Sequence, residues 1–496
     1  MTNYTILIPI VVYFIVLITY NLSNRYRDYQ KTKNQNVDVV KNYSVSDRNL
    51  GALALAMTSA STYASASSFI GGPGTAYYYG LGWILIALIQ VPTMWFVFSV
   101  IGGKINLFAN KYNCKTVNEI LLARYNSKLL VNLTSLILVV CFIASITVQF
   151  IGAARLLQGA VNIDYRTALF MFAIVISIYT VFGNFKTVAY SDVFQGFVMI
   201  IGSILLLAFT LYYIGGIDVA LNTIKQRDAN LFDPYNKIIS PELYFSFWVL
   251  VCFGVLGLPQ TVLRTMATQS AKQRLKAIVI ATITLFVIMT CMHLSGFFAN
   301  AVLTPGQISS PDLVVPNLIT QVMSPVLAAI FLIAPMAAII STIDSMLIQS
   351  TSTIVNDLAL NNFKPINSQN DIVNAKVQTK EPNKQLKVKV AIRITTLVLI
   401  VCAVIFSINP PNILIWLNIL SFGGLQATFL WPIVLGLFTN WVNKFGALAS
   451  VIVGVGTYAF LTFSGFKILG LHQIVPALIF SLIALLIVNT LVRSKN

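Results

Sequence analysis

Long apolar segments are the feature that most constrains the fold of this chain. A helix needs about 20 apolar residues to cross the hydrocarbon core of a bilayer. Only helices and closed barrels satisfy their backbone polar groups inside lipid. The segments therefore predict an all-α polytopic membrane protein with about 13 transmembrane helices. They lie at residues 4–22, 49–75, 80–101, 129–157, 166–183, 191–214, 244–262, 277–303, 323–358, 390–408, 413–438, 446–464 and 472–492.

Charge placement gives the orientation in the membrane. The chain is 57% hydrophobic and carries a net charge of +17, which by itself would also fit a nucleic-acid-binding protein. With the N-terminus outside and the C-terminus inside, all but six of the 32 Lys and Arg residues fall on the inner side, Arg264 among them. This is the positive-inside pattern of membrane proteins. We therefore expect a multi-pass protein of the bacterial cytoplasmic (inner) membrane that contacts lipid and no nucleic acid.

One apolar segment contains a stretch of small and hydroxylated residues, from Met57 to Gly74. Between Thr58 and Gly74, 13 of 17 residues are Gly, Ala, Ser or Thr. Small residues let helices pack closely in lipid, but this many hydroxyl groups exceed what one packing face needs. Pro73 follows two glycines and would leave the carbonyl of Phe69 without its helical partner. We expect a broken helix at Gly71–Gly74 whose freed backbone groups bind an ion and a substrate.

A second interruption, at Gly254, Gly257 and Pro259, resembles the first. Each interruption opens a group of five apolar segments, and five helices reverse the orientation of the group that follows. Paired interruptions in two inverted halves point to a transporter binding site. The predicted parts are an N-terminal helix with a cytoplasmic linker (1–48), a first five-helix repeat (49–214), a second inverted repeat with its preceding loop (215–438) and two C-terminal helices (439–496).

Polar side chains within apolar segments are the candidate site residues. Asp192 either faces a partner or a water-filled cavity, or caps the start of its helix. Ser341, Thr342 and Ser345 share one helical face with Asp344 beside them. Hard cations prefer oxygen ligands, so these groups and the freed carbonyls suit Na⁺. Gln149 is either an interhelical hydrogen-bonding residue or a substrate contact.

Several stretches resemble the sodium:solute symporter family over nearly the whole chain. They are SASSFIGGPG, GLGW, TVQFIGAARLL, FWVLVCFGVLGLP, APMAAIISTI and IWLNILSFGGL. The resemblance implies a LeuT-like fold with an inverted five-helix repeat, one extra N-terminal helix and two C-terminal helices. It also implies Na⁺ as the co-transported ion.

The same resemblance implies the ligands of sodium. One site would use the carbonyl groups of three residues and the hydroxyl groups of two. These are Ser61, Ala64 and Ala338, with Ser341 and Thr342. A second site, present in some relatives, would use Asp192, Ser341, Asp344 and Ser345.

The branch of the family that these stretches match most closely implies pantothenate, a monocarboxylate, as the substrate. Proline-transporting relatives have an aspartate where Tyr63 stands, which argues against proline. Half-helix N-termini suit the carboxylate. The candidate substrate-binding residues lie on the two interrupted helices and the segments facing them. They are Thr62, Tyr63, Ser65, Ser68, Gln90, Gln149, Trp248 and Gln260.

Other functions are weighed against this one. A symporter of another monocarboxylate or of an amino acid would share all these features, and a competition panel would distinguish it. A non-transporting membrane sensor built on the same fold is an alternative from a different class. A channel is disfavoured because no charged ring or repeated selectivity loop is present. No catalytic constellation is present, so we do not expect an enzyme.

Overall fold

The structure, a computed structural model, describes residues 4–32, 39–45, 48–180, 183–235, 239–268, 270–304, 306, 308–360, 382–411 and 413–493. In these ranges the regular structure is helical, apart from one isolated bridge between Asn49 and Thr268. The helices of the first half are α1 (Tyr4–Thr32), α2 (Val39–Ser44), α3 (Ala52–Tyr63), α4 (Gly72–Tyr79), α5 (Leu81–Leu88), α6 (Thr93–Val97), α7 (Gly103–Lys111), α8 (Val117–Tyr125), α9 (Lys128–Val161), α10 (Tyr165–Thr180) and α11 (Phe185–Ile214).

The second half continues in the same way. Its helices are α12 (Ile217–Arg227), α13 (Pro241–Val251), α14 (Pro259–Thr265), α15 (Ala271–Val302), α16 (Val314–Val322), α17 (Pro325–Phe331), α18 (Ile333–Ser352), α19 (Pro382–Ser407), α20 (Leu414–Phe438), α21 (Lys444–Ser464) and α22 (Ile474–Arg493). Short π-helical turns occupy Ser67–Gly71, Phe98–Gly102 and Thr353–Ala359, and 3₁₀ turns occupy Ala229–Phe232, Phe253–Gly257 and Pro311–Leu313.

The lengths of these helices fit a membrane protein. Nine helical segments of the described residues are long and apolar enough to cross a bilayer, or ten if the bent pair formed by Pro241–Gly257 and Pro259–Thr265 is one span. Thr5–Tyr20 and Tyr165–Thr180 are shorter apolar helices. Each predicted apolar segment contains helical residues, which confirms the all-α class. The number of helices that cross the membrane stays a prediction.

The first broken helix lies at the centre of the bundle. α3 packs against α11, α15 and α18, and every residue from Ala54 to Tyr77 is buried. Such burial is what non-helical backbone needs at membrane depth. The predicted repeat boundaries after residues 48, 214 and 438 fall between helices, while the division into repeats itself stays a prediction.

The position of the first break differs from the prediction. Helical geometry ends at Ala64, whose φ of −72° and ψ of 110° are extended, so the break precedes Gly71–Gly74. Pro73 lies in the first turn of α4, directly after the π-helical turn Ser67–Gly71, so the chain stays helical through Pro73. The neighbouring glycines serve close packing instead, because a Cβ on Gly72 would lie 2.3 Å from Nε2 of His293 and one on Gly74 2.0 Å from the carbonyl oxygen of Pro311.

The second interruption lies where the sequence predicts it. Residues Phe253–Gly257 form a 3₁₀ turn, and the chain bends by 49° between this turn and α14. Leu258 is extended, and Pro259 opens α14. Gly257 lies against the backbone of Leu430 in α20, since a Cβ there would come within 2.7 Å of it. Buried residues of both broken helices belong to one hydrophobic core.

Candidate functional site

The break after α3 faces the hydroxyl face of α18. Ser341 Oγ lies 2.9 Å from the carbonyl oxygen of Ser61 and 3.0 Å from that of Ala338. Thr342 Oγ1 lies 2.9 Å from the Ala338 oxygen and 3.4 Å from the Ala64 oxygen. The five predicted ligands of the first sodium site therefore meet at one place. Three carbonyl and two hydroxyl oxygens form a donor set that suits a hard cation.

Two buried aspartates lie beside this cluster. Asp192 is eight residues into α11 rather than at its start, and Asn184 caps that helix by accepting from the backbone N–H of Thr187 at 2.9 Å. Asp192 Oδ2 accepts from the Thr58 hydroxyl at 2.6 Å. Asp344, on α18, accepts from Thr180 at 3.2 Å. Asp192 is therefore a core residue, and the capping interpretation is wrong.

Arg264 is the unexpected member of the site. The sequence places it among the positive residues of an inner loop, yet it lies in α14 and is only 2% exposed. Its guanidinium donates to the carbonyl oxygen of Thr58 at 2.9 Å and to the hydroxyl oxygens of Thr62 and Ser345. A buried cation thus contacts Ser345, which is one of the predicted ligands of the second sodium site.

A small cavity of about 40 Å³ lies on the other side of the broken helix. Residues from α3, the Ser67–Gly71 turn, α5, α13, α15 and α20 line it. Three buried polar atoms of its lining have no hydrogen-bond partner within the described residues: Trp83 Nε1, Ser67 Oγ and Asn418 Oδ1. Unpaired buried polar groups are costly, so the cavity is suited to a polar ligand. Ligand pockets usually measure about 300–1,000 Å³, so filling it requires the lining to move.

The predicted substrate residues divide into two groups. Tyr63, Ser68 and Gln90 line the cavity. Trp248 does not line it and is 51% exposed, because it lies on the outer face of α13. The remaining predicted residues are buried but also lie outside the cavity lining: Thr62, Ser65, Gln149 and Gln260.

Gln149 and Ser65 hold the broken backbone in place. Gln149 Oε1 accepts from the backbone N–H of Ala66 at 2.9 Å, and Ser65 Oγ accepts from that of Ser67 at 3.2 Å. These are the N–H groups that a broken helix leaves without partners. Both N–H groups are therefore already bonded within the protein, and the binding of the carboxylate at a half-helix N-terminus stays a prediction.

Sequence reasoning missed the four other lining residues that carry a polar side-chain atom, Ser67, Trp83, His293 and Asn418, as well as the apolar part of the lining. His293 Nδ1 lies 2.8 Å from the carbonyl oxygen of Met289. A carbonyl only accepts, so Nδ1 carries the proton and Nε2 is an acceptor in the neutral ring. The signal for Ser67, Trp83 and Asn418 was present, because all three lie within stretches that resemble the symporter family.

A turn before α16, at Pro311–Leu313, packs against the first broken helix, because the backbone of Pro311 lies against Gly74 of α4. Asp312, in this turn, is fully buried and accepts from the backbone N–H of Leu414 at 3.2 Å. Leu414 begins α20, the helix that carries Asn418. Burial raises the pKa of the Asp312 carboxyl to about 7, while the Leu414 N–H and the charge of Arg155 act in the opposite direction.

Comparisons with known proteins agree with this geometry. The chain is 43% identical over 491 residues to the sodium/pantothenate symporter of Haemophilus influenzae, covering 99% of this chain and 97% of that one. It is 43% identical to the sodium/pantothenate symporter of Escherichia coli, covering 98% and 96%. A solved Na⁺-coupled sialic acid symporter superposes with a TM-score of 0.78 at 18% identity, covering 99% of this chain and 98% of that one. This likeness confirms the predicted LeuT-like fold. Residues 43–454 match the profile of the sodium:solute symporter family, and the chain belongs to that family.

Proposed function

We propose that this protein imports pantothenate together with Na⁺ across the bacterial cytoplasmic membrane, with its N-terminus outside and its C-terminus inside. The observation that carries the proposal is the meeting of three carbonyl and two hydroxyl oxygens, from the break after α3 and from α18, beside a small cavity with unpaired polar atoms. The names of the two relatives at 43% identity support pantothenate as the substrate.

Sodium binds between the broken helix and α18 in this proposal. Its ligands are the carbonyl oxygens of Ser61, Ala64 and Ala338 and the hydroxyl oxygens of Ser341 and Thr342. In the structure each hydroxyl oxygen lies within hydrogen-bond distance of carbonyl oxygens of both elements. A cation in the gap bonds to both helices at once and so stabilises the arrangement in which they lie together.

Pantothenate occupies the cavity. Its carboxylate needs hydrogen-bond donors, and Trp83 Nε1 and the Ser67 hydroxyl are unpaired donors there. Its hydroxyl and amide groups need acceptors, which Asn418 Oδ1 and His293 Nε2 supply. The described lining contains no Lys or Arg. The anion is therefore held by neutral donors, and sodium supplies the compensating charge.

Coupling follows from the shared broken helix. Tyr63 lines the cavity, while the neighbouring Thr62 and Ala64 carbonyls face Thr342. An ion that fixes this backbone also fixes the substrate-facing side chain. By linkage each ligand must raise the affinity for the other by the same factor. One Na⁺ with one monoanion moves no net charge, whereas each further Na⁺ gains about 2.3 kcal/mol per 100 mV of membrane potential.

Uptake of radiolabelled pantothenate into proteoliposomes tests the proposal. We expect accumulation with an inward sodium gradient and none when potassium replaces sodium. Trp83→Phe removes the unpaired indole N–H and should raise the half-saturating pantothenate concentration. Trp95→Phe is the matched control, because Trp95 is 53% exposed on α6 and does not line the cavity. Equal uptake in sodium and potassium would contradict the proposal.

A further inference from the structure

Arg264 is placed where a cation would bind. Its Nε donates to the Thr58 carbonyl at 2.9 Å and its Nη1 to the Gln260 carbonyl at 3.1 Å. Its Nη2 donates to the hydroxyl oxygens of Thr62 and Ser345. A single side chain of α14 thereby bonds to α3 and to α18, the same two elements that hold the predicted sodium ligands.

Two buried carboxyl groups lie near Arg264. Asp192 and Asp344 are both fully buried, and the two groups interact electrostatically with each other. Thr58 connects Arg264 to Asp192, since its carbonyl accepts from Arg264 and its hydroxyl donates to Asp192 Oδ2 at 2.6 Å. Asp192 Oδ1 accepts no hydrogen bond within the described residues. A buried carboxylate without compensation is very costly, so this oxygen is available to a cation.

Arg264 also blocks an oxygen that a cation would need. The Ser345 hydroxyl donates its proton to the Ser341 carbonyl at 2.8 Å, so its oxygen is left as an acceptor. The guanidinium uses that oxygen. A sodium ion cannot bond to Ser345 while Arg264 occupies the same place, and two like charges in a buried site oppose each other.

We infer that Arg264 is a built-in cation that competes with Na⁺ for the site formed by Asp192, Asp344 and Ser345. The inference rests on the proposed sodium coupling. When sodium enters, the guanidinium leaves Ser345 and Thr62, and α14 loses its bonds to α18 and to the Thr62 side chain. Arg264 is therefore a positioning residue that lowers sodium affinity and links sodium arrival to the release of α14.

Sodium-dependent thermal stabilisation of the purified protein tests this without any substrate. The unfolding midpoint is followed as sodium replaces potassium at constant ionic strength. Arg264→Gln removes the competing charge and should lower the half-saturating sodium concentration by about tenfold. This is the effect of an electrostatic interaction that is equivalent to one pKa unit. Arg264→Lys keeps the charge and should stay near the wild-type value. Arg48→Gln is the matched control, because Arg48 is 4% exposed and donates to the Ala109 carbonyl, away from the site.

A second measurement uses the wild-type chain and so does not depend on a variant that folds. Phenylglyoxal modifies accessible arginines, and mass spectrometry reads the modification at Arg264. We expect more modification at Arg264 in sodium than in potassium, with Arg48 equal in both. Equal or lower modification of Arg264 in sodium, or a sodium half-saturation that is unchanged or raised in Arg264→Gln, would overturn the inference alone. Absence of any sodium stabilisation in the wild type would overturn the proposed sodium coupling as well.

Discussion

Replacing Thr342 with Val removes a single oxygen of the proposed sodium site and so tests that ligand alone. The substitution keeps the shape of the side chain and removes a hydroxyl that lies 2.9 Å from the Ala338 oxygen and 3.4 Å from the Ala64 oxygen. We take the contact between the Thr342 hydroxyl oxygen and sodium to be worth as much as a hydrogen bond to a charged group, about 2 kcal/mol. Every 1.4 kcal/mol changes a binding constant about tenfold. The half-saturating sodium concentration should therefore rise by about thirtyfold, on the same two principles.

The assay is sodium-dependent thermal stabilisation, followed by sodium-driven uptake. Thr351→Val is the matched control, because Thr351 is a fully buried residue of the same helix whose hydroxyl lies 3.1 Å from that of Thr396. Both variants lose a buried hydrogen bond, at a cost to stability of about 1 kcal/mol. Only Thr342→Val should change the sodium dependence. Equal sodium half-saturation in the two variants would refute the assigned ligand set.

Three further predictions concern the cavity and its supports. The pKa of Asp312 is raised from 3.8 to about 7, so its contribution to stability is present at low pH and is lost as pH rises through about 7. Asp312→Asn should therefore lose less thermal stability than wild type between about pH 5 and 8. Parallel pH curves for the two proteins would contradict this. Trp83→Phe removes one hydrogen bond to an anion. It should raise the half-saturating pantothenate concentration about tenfold and leave the half-saturating sodium concentration little changed. An unchanged uptake curve would exclude the indole N–H as a contact. Gln149→Leu leaves the Ala66 N–H unpaired and should lower the free energy of unfolding by about 1–3 kcal/mol in denaturant titrations, whereas an unchanged midpoint would show that water or another group replaces the amide.

The family resemblance supplied the proposed sodium ligands, and the structure brings them together from two short stretches of sequence. Ser341 and Thr342 follow Ala338 at helical spacing, so their meeting requires only that one helix face the broken one. The break itself was predicted seven residues too late. Gly71–Gly74 contains the glycines and the proline that usually interrupt a helix. Gly72 and Gly74, however, are required by close packing, because a Cβ at either position would overlap a neighbouring element. The real break at Ala64 has no Gly or Pro and is held by Gln149.

Side-chain direction was the part that sequence could not supply. Trp83 and Trp248 are both aromatic residues of apolar helices, and only the packing of α5 and α13 turns the first into the cavity and the second outward. Arg264 was assigned to a loop because charge counting places basic residues near helix ends. The bend before α14 makes that helix only seven residues long and brings Arg264 into the core. Such effects depend on contacts between distant segments.

The most direct test of the account is pantothenate binding to the purified wild-type protein in sodium and in potassium. The account requires that sodium and pantothenate stabilise one arrangement of the same broken helix. Titration calorimetry should show pantothenate binding that is strong in sodium and weak in potassium. Saturating pantothenate should tighten sodium binding by the same factor. Equal pantothenate affinity in the two salts would contradict the account.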